Sequence, residues 1–199
     1  MTMAKAVSLL SSPFYLPIIG LAALFTFSYL SLLPFTYKVF VLIMVYLFTC
    51  LLPTTLIRLY HSYHGWTPFE FGARERRIIP YVVSILCYFT CYYVMMLMHM
   101  PHLMGSIVVA ALATQVVCAM INMWWKISVH MAAIGAMAGS LASFAAIFMF
   151  NPIWWLSVII FFAGMIGSAR MILRQHTLRQ IYIGFIIGVM TGAVTVITV

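Results

Sequence analysis

The sequence predicts an all-α fold, a polytopic bundle of six to seven transmembrane helices. Three observations lead there: 66% of the 199 residues are hydrophobic, the mean hydropathy is +1.15, and the apolar residues fall in runs that match the thickness of a bilayer. Soluble domains use roughly 45–50% apolar residues. A chain with only 6% charged residues has too little polar surface to cover a water-soluble fold.

A hydrocarbon core of about 30 Å takes about 20 apolar residues per helix. That length places spans near 14–33, 38–57, 80–99, 104–123, 129–149, 152–168 and 181–199, and six remain if one of the first two does not cross. The opening "MTMAKAVSLLSS" carries one lysine and no clear small-residue cleavage site, so the run after it reads as a first span and not as a cleaved signal peptide. The chain is read as one integral-membrane domain over 1–199, with its motif-bearing part from about 70 onward.

In the third and fourth spans Cys87, Cys91 and Cys118, like Cys50 in the second, sit inside apolar runs. They read as buried small residues and not as a disulfide framework. No cysteine or acid completes a site with them, nor with His61 and His64 in "YHSYHGW", so no metal and no other cofactor is expected. Gly135 and Gly139 in the fifth span, and Gly184, Gly188 and Gly192 in the last, recur at spacing four. With Ala132, Ser140 and Ser143 they mark faces where backbones approach closely, since packing drives helix association in lipid.

The formal charge of +8 comes from residues scattered between apolar segments, with no Lys/Arg-rich arm or recognition motif, which argues against nucleic acid as a partner. Membrane lipids with anionic headgroups, or a phosphate-bearing substrate, account for the balance better. The stretches 58–79, 124–130 and 168–180 are separated by pairs of spans and so emerge on one side. They hold Arg58, Arg74, Arg76, Arg77, Lys126, Arg170, Arg174 and Arg179, and both acids, Glu70 and Glu75. The positive-inside rule puts that side in the cytoplasm; arginines placed to bind phosphate weaken that inference, so the side of the site stays open. The expected location is a bacterial inner (cell) membrane.

Three clusters meet on this face: "RERRIIP" at 74–80, "KISVH" at 126–130 and "ARMILRQHTLRQ" at 169–180. Basic residues with two histidines at a membrane surface point to anion chemistry, because intramembrane charge is costly without a partner or a function. Ser128 stands where it would cap the fifth span, whose first N–H groups and dipole favour an anion, and Lys126 adds a cation at the same mouth. The spacing of these clusters resembles the type 2 phosphatidic acid phosphatase family, whose pattern is K-x6-R-P, then P-S-G-H, then S-R-x5-H-x3-D.

The resemblance implies a membrane phosphatase acting on a lipid phosphate or diphosphate: phosphatidate, phosphatidylglycerol phosphate or a polyprenyl diphosphate. His176 matches the nucleophile that forms a phosphohistidine, and His130 the acid/base. Arg170 matches a phosphate clamp and Ser128 the serine of the second motif. Arg77, with Arg74 or Arg76 beside it, stands for the first motif. Val129 replaces the second motif's glycine, and Ala169 the serine before the arginine. Gln180 replaces the aspartate that orients the nucleophile; at i+4 from His176 on one helix face, it accepts an Nδ1–H bond but cannot stabilise an imidazolium as a carboxylate does. Those replacements leave a second reading, a degenerate relative that binds anionic lipid or serves as a transport or scaffold bundle. Oligomeric state is not legible.

Overall fold

The computed structural model describes residues 13–27, 29–63 and 74–198, with the side chains of 27, 29, 61 and 74–77 outside that description. Among these residues every regular element is a helix: α1 (Leu16–Phe27), α2 (Phe35–Tyr46), α3 (Leu52–Tyr63), α4 (Arg74–Leu97), α5 (His102–Trp124), α6 (Val129–Phe148), α7 (Ile153–Ile172) and α8 (Leu178–Thr198). Six stretches of the described chain are long and apolar enough to cross a bilayer: Phe35–Tyr60, Ile78–Leu97 and the whole of α5 to α8. The protein is an all-α integral-membrane bundle.

Among the described residues the first apolar run supplies no helix long enough to cross. Its helix α1 has 12 residues, roughly 18 Å at 1.5 Å per residue, against a core of about 30 Å. A short 3-10 turn, Tyr29–Leu32, and Pro34 follow it. The second run crosses as α2 and α3 joined by a π-helical segment, Leu47–Leu51. Pro53 explains that segment: it offers no N–H to the carbonyl of Thr49, and the ladder slips by one residue upstream. Just beyond it, Thr54 Oγ1 donates to the Cys50 carbonyl at 2.7 Å and Thr55 Oγ1 to that of Leu51 at 2.9 Å.

Two glycine ladders bring α6 and α8 into backbone contact. A Cβ added at Gly188 would sit 1.9 Å from the Ala132 carbonyl oxygen, and one at Gly192 would sit 2.2 Å from that of Ala136. In return, Cβ atoms at Gly135 and Gly139 would meet the carbonyl oxygens of Phe185 and Val189 at 2.2 and 2.1 Å. The ladders advance together along both helices, so α6 and α8 are parallel. Ser140 Oγ to Gly192 O at 3.4 Å and Ser143 Oγ to Ala193 O at 3.2 Å close the seam toward the far side, and Thr114 of α5 joins Thr191 of α8 at 2.9 Å. In lipid such close packing with interhelical polar bonds takes the place of hydrophobic driving force.

Parallel packing puts the N-termini of α6 and α8 on one face, where α7 ends. A buried cluster that includes Met131, Ile134, Ala163, Ile166 and Ile181 fixes α7 against both helices. A second cluster of Cys118, Ile127 and Ala132, with Tyr81 packed on it, ties the starts of α4 and α6 and the end of α5 to the same end. The largest cluster, with Met95, Met104, Phe144 and Val196, fills the opposite end.

The contact sets a stability expectation. Gly188→Ala forces a Cβ into the Ala132 carbonyl, and overpacking of this kind typically costs about 1–3 kcal/mol. Gly164→Ala meets nothing within 4 Å and is expected to be neutral. Thermal unfolding in detergent, followed by monodispersity on a sizing column, compares the two; equal midpoints would contradict the seam.

Candidate functional site

The site is built on three chain ends that the seam brings together. Ser128 occupies the N-cap position of α6 in an extended conformation, φ −87° and ψ 102°, but its hydroxyl makes no cap bond. Instead Ser128 is fully buried, and its Oγ has no hydrogen-bond partner among the described residues. The expected capping role is therefore not what holds this side chain. An oxygen that can donate or accept sits beside the first-turn N–H groups of α6, a position suited to an anion.

Helix α7 ends with Arg174 in the left-handed region, φ 52°. The Gln175 N–H reaches the Arg170 carbonyl at 3.1 Å and the Arg174 N–H that of Met171 at 2.9 Å, the paired bonds of a Schellman ending. This reversal turns Gln175 back over the last turn of α7. Its backbone carbonyl accepts from Lys126 Nζ at 2.6 Å, and its side-chain Oε1 accepts from Arg170 Nη1. Gln175 carries no signal in the sequence, yet it connects two cations from two segments.

Arg170 is buried, with 8% of its surface exposed. Its Nη2 lies against the ring of His130, 2.9 Å from Nε2 and also close to Nδ1. A guanidinium only donates, so the ring nitrogen it meets presents a lone pair. Position in the last turn of α7 also sets its charge against the negative end of that helix's dipole.

His176 is placed differently from expectation. It stands outside the helix, in the turn before α8, so its link to Gln180 is not a pairing along one helical face. Gln180 lies in the first turn of α8 and reaches back over the helix start, where its Oε1 accepts the Thr177 backbone N–H at 3.1 Å. This is one half of a capping box, Thr177-x-x-Gln180. The same oxygen lies 3.3 Å from His176 Nδ1. A proton on Nδ1 donated to Gln180 leaves the ring's lone pair on Nε2.

The structure thus brings together Lys126, Ser128, His130, Arg170, His176 and Gln180 at one end of the bundle. The backbone of "RERRIIP" opens α4 at the same end, but the side chains of Arg74 and Arg77 lie outside the described residues, as do those of both acids and of His61 and His64. No group of three or more His, Cys, Asp or Glu that could hold a metal occurs among the described residues. The four cysteines are free and buried within the spans. Trp124 and Trp125 lie exposed at the site end, and Trp154 and Trp155 at the far end. No protein-family model matches the chain, and neither curated proteins nor solved structures give a match.

The arrangement suits a tetrahedral oxyanion. Lys126 and Arg170 already share the two carbonyl oxygens of one residue, as they would share the oxygens of a phosphate. Replacing Arg170 by lysine keeps the charge but loses the fork that reaches Gln175 and His130 at once. Hydrogen bonds to charged groups are worth about 1.5–3 kcal/mol, so Arg170→Lys is expected to weaken binding of orthovanadate about tenfold or more, read by calorimetry. Equal affinity would remove Arg170 from the site.

Proposed function

We propose that the protein is a membrane phosphatase of the type 2 phosphatidic acid phosphatase kind, which releases phosphate from a lipid phosphate or diphosphate through a phosphohistidine. The observation that carries this reading is the meeting of Arg170 with His130, at a mouth where Lys126 and the N-termini of α6 and α8 converge and His176 stands in the adjoining turn. The family motifs would place the same residue types there.

In this reading the substrate phosphate displaces the Gln175 oxygens from Lys126 and Arg170. Arg170 then turns its donors from the His130 ring to phosphate oxygens, and the first-turn N–H groups of α6 and the Ser128 hydroxyl complete the cradle. His176 Nε2 attacks phosphorus while the bond to the leaving oxygen breaks, and His130 gives that oxygen a proton. His130 next takes a proton from water, the hydroxide attacks phosphorus, and the P–N bond breaks to release phosphate. Splitting the displacement is the advantage of covalent catalysis, and a positioned acid/base typically contributes about 10²–10⁴ in rate.

One observation favours the non-catalytic alternative. Gln180 is neutral and its oxygen also holds the Thr177 N–H, so it gives a charged His176 less support than a carboxylate. Phosphate release from phosphatidate, phosphatidylglycerol phosphate and polyprenyl diphosphate by purified protein separates the two. Release that His176→Ala abolishes and His130→Ala lowers about 10²–10⁴-fold is expected. No release, with lipid binding retained, would leave the binding reading. Gln180→Asp is expected to speed phosphoenzyme formation; an unchanged rate would mean that another group already supports His176.

A further inference from the structure

A cavity of about 450 Å³ lies inside the bundle, walled mainly by α1, α5, α6 and α7. Its upper end adjoins the anion site: Val129, which lines it, stands between Ser128 and His130, and Ile166 lines it one turn before Arg170. Its lower end reaches Phe148 and Phe150 at the opposite face. Along α6 from Val129 to Phe148 that is roughly 28 Å at 1.5 Å per residue.

The walls are almost wholly apolar. Two of the polar groups near mid-depth are engaged with neighbouring helices, Thr114 with Thr191 at 2.9 Å and Ser140 with the Gly192 carbonyl at 3.4 Å. Lining residues that are also exposed belong to α1 and the turn before it, as Ile19 and Tyr15, and to α7, as Trp155, Val158, Phe162 and Met165. The cavity therefore opens sideways, through a slot between α1 and α7, into lipid hydrocarbon.

Length chooses the occupant. One leaflet contributes about half of a core of about 30 Å, so a glycerolipid tail anchored at the site ends near mid-depth and arrives with a second tail beside it. The cavity instead continues as one passage through both leaflets. A volume within the usual range of about 300–1,000 Å³ for small-molecule sites, spread over that length, leaves width for a single chain. We propose that this cavity binds the hydrocarbon chain of a polyisoprenyl phosphate or diphosphate, entering between α1 and α7 with its phosphate at Arg170. The proposal rests on the phosphatase reading for its headgroup and narrows the substrate to a single long chain.

The test uses the full-length protein in detergent micelles and a polyisoprenyl phosphate with a photoreactive diazirine at the end of the chain remote from phosphate. After irradiation, mass spectrometry maps the labelled residues. Label is expected to concentrate at Phe148, Phe150 and Trp155, and to compete out with unlabelled polyisoprenyl phosphate far better than with dioleoyl phosphatidate. Ala133→Trp, which fills the passage from α6, is expected to lower the yield about tenfold; Ala23→Trp, from the α1 wall, repeats the test if the first variant does not fold. Absent label, label scattered over the lipid-facing surface, equal competition by phosphatidate, or full yield in a folded filled variant would overturn the proposal. His176→Ala is expected to keep the label and lose phosphate release. Specific label without release in the wild type would count against the phosphatase reading alone.

Discussion

Helices α6 and α8 touch backbone to backbone, and the placement of Ser128, His130, Arg170, His176 and Gln180 depends on that contact. Without side chains at Gly135, Gly139, Gly184, Gly188 and Gly192, the two helices run parallel at a distance no other residue would permit. Two N-termini then open at one membrane face. The short connection from α7 must return to the start of α8 at the same place, which delivers Arg170 beside His130 and His176 beside Gln180. A packing constraint buried in the membrane thus determines the geometry at its surface.

At that surface one residue, Gln175, links two cations from two segments. The two acids of the chain lie outside the described side chains, and Lys126 and Arg170 are served by the two carbonyl oxygens of Gln175. These two oxygens hold the cations in place without adding a charge of their own. Lys126 and Arg170 are held in fixed positions, and such preorganisation would lower the cost of binding the proposed anion. Beneath it lies the apolar passage, which in the proposal takes the chain attached to that anion, so that headgroup and tail would meet regions of opposite character.

Much of this was legible in the sequence, for identifiable reasons. Spans follow from the length of apolar runs, and glycine ladders at spacing four announce a close seam whatever their partner. The convergence of "KISVH" with the Arg170–His176 segment follows from counting spans between them. Other features depend on tertiary or local geometry that composition does not carry. The first run looked long enough to cross, but its described helix α1 has 12 residues. The role of Gln175 arises from a helix ending with arginine in the left-handed region, where glycine is the usual signal. His176 and Gln180 are in fact joined across a helix start, and Ser128 takes the cap position without making the cap bond. In the last two cases the spacing was informative while the conformation behind it was not.

In the proposed reaction His176 attacks phosphorus through the nitrogen that Gln180 leaves available. The most direct measurement is to quench the purified protein during turnover of ³²P-labelled lipid phosphate, digest it under alkaline conditions, and identify the phosphorylated residue and ring nitrogen by mass spectrometry and NMR. A phosphohistidine at His176 on Nε2, absent in His176→Ala, is expected. Phosphate on Nδ1 of His176, on His130 or on no residue at all during sustained turnover would contradict it.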